Sequence, residues 1–303
     1  SHSELNTRTK GVDETETVRT DGNYIYVLSA AGYYGYYRAY WYVDAADDGF
    51  KPQTFMVVSP NGGDMRVLSK TEVSAATDPN GDTRISRYFD GFYLYGQYAV
   101  LTGRETVYQF LDAAEAEPTS NSASVSSDEV LDYDYTYPVY PAESRGVVYV
   151  YDVGDPADVR LVKELRFDSE ILDTRIADGR LVTVSCFYPY GDDFVKDDYS
   201  TFIPCAGADY VAPENIVIAD QDGDTFFTVT VTELDSGAFE SESVSVLGNA
   251  YDFYCSGGSV YAYGDDSEYK GPVSGYISAF MIYKISLEGG KPEFKGQTRL
   301  EEA

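Results

Sequence analysis

Apolar residues alternate with polar ones in short runs along most of this chain, and four of the runs follow a glycine turn. They are DGNYIYVL at Gly22, YGQYAVLT at Gly96, DGRLVTVS at Gly179 and GGSVYAYG at Gly258, in steps of 74, 83 and 79 residues. Each predicts a turn opening into a half-buried strand. A second alternating strand is expected after each, at 41–44 (WYVD), 147–152 (VVYVYD), 228–235 (TVTVTELD) and 281–288 (MIYKISLE), and a third after a further polar turn. A repeated unit of antiparallel strands predicts an all-β chain of about four propeller blades. The repeat runs nearly end to end, so residues 1–303 are expected to form a single domain.

No long amphipathic helix is legible, and Tyr, Val, Phe and Thr fill the runs while Gly, Asp, Asn and Pro punctuate them. Asp155-Pro156 and Gly289-Gly290 are breaker pairs placed where a blade must turn back. The units exceed the roughly 40 to 45 residues of a compact blade. The excess is assigned to insertions at 112–145, which is acidic, of low complexity and then Tyr-rich, and at 187–213, with an aromatic loop at 31–42 and an N-terminal entry segment at 1–20. Insertions on a rigid scaffold are where a function is expected to sit.

The opening segment GVDE (11–14), TDG (20–22) and YIYV (24–27) resembles the start of a family of secreted bacterial β-propeller proteins, distantly WD-like and described as of methanol dehydrogenase type, whose members begin with a segment like NVQVxGVDExDxVKTDGxYIYVL. VYVYDVGDPADVRLVKELRF (148–167), RIADGRLVTVSCFYP (175–189) and FMIYKISLEGG (280–290) are similar to later segments of that family, in the same order. The resemblance implies an exported propeller of unassigned activity, in the extracellular space or the cell envelope. Family members continue for several blades past the position of Leu300, so it also implies that four blades are part of a larger ring, completed by a missing half or by a second copy.

Charge narrows the partners. With 22 Lys and Arg against 51 Asp and Glu, the net charge of −29 repels phosphate backbones and anionic lipid heads. Nucleic acid is therefore not an expected partner, and no run approaches the roughly 18 apolar residues of a membrane span. Protein or polysaccharide remains. His2 is the one histidine, and Ser1-His2-Ser3 reads as a vector-derived leader, which removes Ser-His-Asp, Cys-His and His-based zinc chemistry from the natural segment.

The candidate site residues are of three kinds. Tyr133, Tyr135, Tyr137 and Tyr140 lie in an insertion and, with Trp41, offer rigid aromatic faces to a sugar or a protein. The neighbouring run of Tyr33, Tyr34, Tyr36, Tyr37, Tyr40 and Tyr42 reads rather as packing or loop rigidity. Asp220, Asp222 and Asp224, and Asp78, Asn80 and Asp82, carry oxygens at alternate positions that can converge on calcium; acidic hairpin turns are the better-supported reading, and otherwise no cofactor is expected. Cys186 and Cys205 bracket the second insertion, where a disulfide in an oxidising compartment and free thiols are both open readings.

The expectation is thus a non-catalytic interaction module acting through rim loops. The alternatives are a structural half-propeller and a carboxylate-dependent glycosidase or lyase, for which 51 acids single out no pair.

Overall fold

The computed structural model describes residues 12–30, 32–33, 50–73, 75–77, 83–109, 140–168, 170–189, 195–207, 209–219, 223–256, 258–266, 268–269 and 276–301. Four antiparallel meanders follow one another. Blade 1 comprises Val18–Thr20, Ile25–Leu28, Thr54–Ser59 and Arg66–Glu72. Blade 2 comprises Thr83–Tyr95, Tyr98–Gln109, Tyr140–Asp152 and Arg160–Phe167. Ile171–Ala177, Arg180–Phe187, Phe226–Glu233 and Ser241–Leu247 form blade 3, and Asp252–Ser256, Ser259–Asp265, Ala279–Ser286 and Glu293–Glu301 form blade 4. The chain is an all-β propeller, with four recognisable blades among the described residues. Helix among the described residues is limited to short 3-10 turns.

Each expected glycine turn joins the first strand of a blade to its second. The turns at Gly96 and Asp178-Gly179 are two-residue hairpins, closed by Tyr95 opposite Tyr98 and by Ala177 opposite Arg180. Asp178 (φ 49°) and Gly179 (φ 75°) both occupy the left-handed region, as a type I′ turn requires. The Gly22 turn is longer, and Asp21 steadies it by accepting from the backbone N–H of Asn23 and Tyr24 at 2.8 and 2.7 Å.

The period-two pattern then sends alternate residues to neighbouring blades. Ala99 and Leu101 join Phe55 and Val57 in the core between blades 1 and 2, whereas Val100 and Val148 join Leu181 and Leu234 between blades 2 and 3. Phe227, Val229 and Val231 meet Val260, Ala262 and Ile285 between blades 3 and 4. No buried cluster among the described residues joins blade 4 to blade 1.

Four expectations change. The partner of Ile25–Leu28 is Thr54–Ser59, while 41–44 lies outside the described residues. The 112–145 insertion is shorter than expected, because Tyr140 to Arg145 extend a blade 2 strand by pairing with Arg145 opposite Glu105 and Tyr140 opposite Gln109. The 187–213 insertion is not all loop: Cys205–Gly207 and Asp209–Tyr210 form a hairpin that adds to the outer strand of blade 2, Arg166 opposite Gly207. The entry segment is tied in more widely than its sequence suggested. Val12–Asp13 pairs with the first strand of blade 3, and Glu16 bridges to Phe92 on the first strand of blade 2. Because one short segment reaches the first strands of three blades, those strands lie nearest the axis and the fourth strands outermost.

Candidate functional site

Polar side chains gather at three places, at the axis, where the blade 2 strands lengthen, and on the outer rim. At the axis, Arg19 reaches Asp13 at 3.0 and 3.1 Å, donates to the Phe92 carbonyl at 2.9 Å, and lies over the Tyr93 ring. Gly91 faces this segment, and a Cβ there would stand 2.9 Å from Cβ of Thr15. Arg175 pairs with Asp173 at 2.5 Å and approaches Glu14 at 3.8 Å. Burial pushes the Asp173 carboxyl above the usual range, Arg175 and the Thr174 N–H pull it back, and the charges of Glu14 and Asp252 add to the rise. Cys255 lies close enough to feel the same charges, its thiol raised to about 11 by burial first and Asp173 next. Each carboxylate here is taken up by an arginine, a backbone N–H or, for Asp252, the Tyr263 hydroxyl.

A second buried ion pair lies where the blade 2 strands lengthen. Glu105, fully buried, accepts from Nε of Arg87 at 2.7 Å and of Arg145 at 2.8 Å. Burial alone would raise its carboxyl, but hydrogen bonds and charge from the two arginines outweigh that and hold it low. Arg87 also lies over the Tyr149 ring, 5.3 Å from its centre.

The rim site is a groove of about 430 Å³ between the outer parts of blades 2 and 3. Leu165, Val211 and Phe239 form its buried floor, and Lys163, Asp209, Tyr210, Glu240 and Glu242 line its walls. The hairpin from the 187–213 insertion supplies one wall, and the outer strand of blade 3 supplies the other. Phe239 has φ 53°, rare for a bulky residue, and its ring is held edge-on to Tyr98, with centroids 5.0 Å apart. The polar side of blade 3 continues inward as hydroxyl pairs, Thr232 with Ser241, Thr230 with Ser243 and Thr228 with Ser245, at 2.9 to 3.0 Å.

The sequence candidates are dispersed. Trp41, Tyr133, Tyr135, Tyr137, Asp78, Asn80, Asp82, Asp220 and Asp222 lie outside the described residues, and Tyr140 is placed only as the start of a blade 2 strand. Asp224 is exposed and accepts from the Thr225 hydroxyl at 3.0 Å. Cys186 and Cys205 stand in the sheets of different blades and are not joined in a disulfide. Burial, then Asp168 and Asp209, raise the Cys205 thiol to about 11. The groove residues escaped the sequence reading because they come from two blades. The signal that could have found them was the alternating polar run SESVSV at 241–246.

A family model described as Beta propeller domain matches residues 2–301. No curated protein matches the chain. Among solved structures the chain is similar to the GH32 beta-fructofuranosidase BmSUC1 of Bombyx mori, at 13% identity and a TM-score of 0.32, over 92% of this chain and 49% of that one. The chain thus spans about half the length of that structure.

Proposed function

The chain belongs to the Beta propeller domain family, matched over residues 2–301, and from that premise we propose that it is a non-catalytic interaction module of the extracellular space or cell envelope, binding protein or glycan through its rim. The observation that supports the reading is the rim groove. Its volume of about 430 Å³ falls within the range of small-ligand sites, and exposed Tyr210 offers a ring beside acidic walls. Tyr133, Tyr135, Tyr137, Tyr140 and Trp41 extend the same proposal to the 112–145 insertion and the 31–42 loop. The glycosidase or lyase alternative is weaker, since the buried carboxylates Glu105 and Asp13 are each engaged by arginine and are poor candidates for a general acid.

Glycan-array and affinity-capture assays of the full chain test this reading, beside a Tyr210→Ala and a Tyr133→Ala/Tyr137→Ala variant. Binding by the parent that is lost in either variant is expected. Binding that all variants keep, or none by the parent, overturns it.

A second reading, a structural half of a larger ring, is favoured by the two outward blade faces. Blade 1 presents the partly exposed Ile25, Val27, Met56 and Val58 beside Val18 and Val67, the last two more than half exposed, and blade 4 presents Tyr254 and Leu300, also more than half exposed. Apolar sheet faces of this kind favour association. Light scattering that gives a stable, monodisperse 33.5 kDa species would count against it.

A further inference from the structure

We propose that the rim groove takes up a short extended peptide carrying lysine or arginine, added as a strand to the edge of blade 3 at Ser241–Ser243. This rests on the reading of the rim as the binding surface and names the partner's chemistry. The backbone phase of the edge carries the argument. Glu233 N–H donates to Glu240 C=O at 2.9 Å, which marks 233 opposite 240 as a hydrogen-bonded pair. Pairs alternate along an antiparallel ladder, so Glu242 opposite Val231 is the next such pair. The backbone N–H and C=O of Ser241 and Ser243 therefore point away from Phe226–Glu233, out over the groove that both residues line.

A strand already covers the rest of that edge and stops short of these residues. Ile216–Ile218 pairs in parallel with Ser245–Leu247. The chain before it cannot continue the ladder, because Pro213 has no N–H and Asn215 turns its N–H back to Ala212 at 2.8 Å. An incoming segment would take up the edge where Ile216–Ile218 leaves it. The fold uses such additions elsewhere, with Cys205–Gly207 on the outer strand of blade 2 and Val12–Asp13 on the first strand of blade 3.

The lining selects the occupant. Alternate side chains of an added strand point to opposite faces. One set would face blade 2 and meet the apolar floor of Leu165, Val211 and Phe239 together with Asp209, Tyr210 and Lys163, and the other would lie on the side of Glu240 and Glu242. Glu242 is held by Lys291 at 2.8 Å, whereas Asp209 and Glu240 are exposed. Acidic walls around an open edge in a chain of net charge −29 favour a basic strand, which gains main-chain bonds for affinity and side-chain pockets for choice.

The test uses the full chain and a fluorescein-labelled peptide of alternating lysine and valine, ten residues long, followed by anisotropy at physiological salt. Saturable binding is expected, together with weakening of about tenfold or more when alternate residues are N-methylated at unchanged charge, which removes the edge bonds. Equal binding of the methylated peptide overturns the strand addition and leaves charge alone. If neither peptide binds while Tyr210-dependent capture of glycan or protein persists, this inference fails and the rim reading stands. If both fail, both are overturned.

Discussion

Arg19 and Asp13 face each other in a two-point ion pair, Nη1 to Oδ2 at 3.0 Å and Nη2 to Oδ1 at 3.1 Å, with little of either side chain exposed. Asp13 stands on the two-residue strand joined to blade 3, and Arg19 on the first strand of blade 1, where it also holds the Phe92 carbonyl of blade 2. One guanidinium thereby ties three blades together at the axis. The planar fork makes this possible, and an ammonium cannot reproduce it.

The Arg19→Ala variant is expected to lose about 3 to 5 kcal/mol of stability, the usual cost of leaving one partner of a buried pair uncompensated. Arg19→Lys should recover only part of that. In a double-mutant cycle with Asp13→Ala, measured by chemical denaturation, a coupling above about 1 kcal/mol is expected. Simple additivity would show that the pair does not clamp the axis.

Acid should weaken the fold through Glu105. Its folded-state pKa lies below the ordinary glutamate value of 4.5 because Arg87 and Arg145 outweigh its burial. The stabilisation is complete above the unfolded value and is lost as pH falls through the folded one. Glu105→Gln is expected to cost about 3 kcal/mol or more near pH 7, with a gap from the parent that narrows towards about pH 3. Denaturant titrations at the two pH values read this directly, and a gap independent of pH would assign the loss to packing.

The floor of the groove makes an unusual prediction. Phe239 combines a left-handed backbone with a buried ring against Tyr98. Truncation to alanine loses the ring and keeps the backbone strain, for about 3 to 5 kcal/mol. Glycine loses the same ring and relieves the strain, so Phe239→Gly should be the more stable of the two variants by about 1 kcal/mol. Thermal melts rank them, and an alanine variant at or above the glycine variant would refute the strain argument.

Local chemistry was readable from the chain itself. The glycine turns at Gly22, Gly96 and Gly179, each with positive φ, and the apolar alternation after them fall where the residues predicted. The breaker pairs Asp155-Pro156 and Gly289-Gly290 likewise lie between the third and fourth strands of their blades. Turn geometry and the side-chain period of two are properties of neighbouring residues, so they survive without knowledge of the rest of the molecule.

What depends on distant residues was not readable. Nothing in GVDET announces that Asp13 will pair with a strand more than 150 residues away, opposite Ile176. Nothing in the Tyr, Asp and Pro-rich insertion announces that Cys205–Gly207 will leave blade 3 for the edge of blade 2. A β-edge offers the same N–H and C=O groups whatever its sequence, so the choice of edge is made by which segments the blades bring within reach. The chain by itself determined the blade, its turns and its alternating faces. The tertiary structure decided how the axis is tied and where the rim opens into a groove, because both are made by backbone and side chains that meet only once the blades have packed.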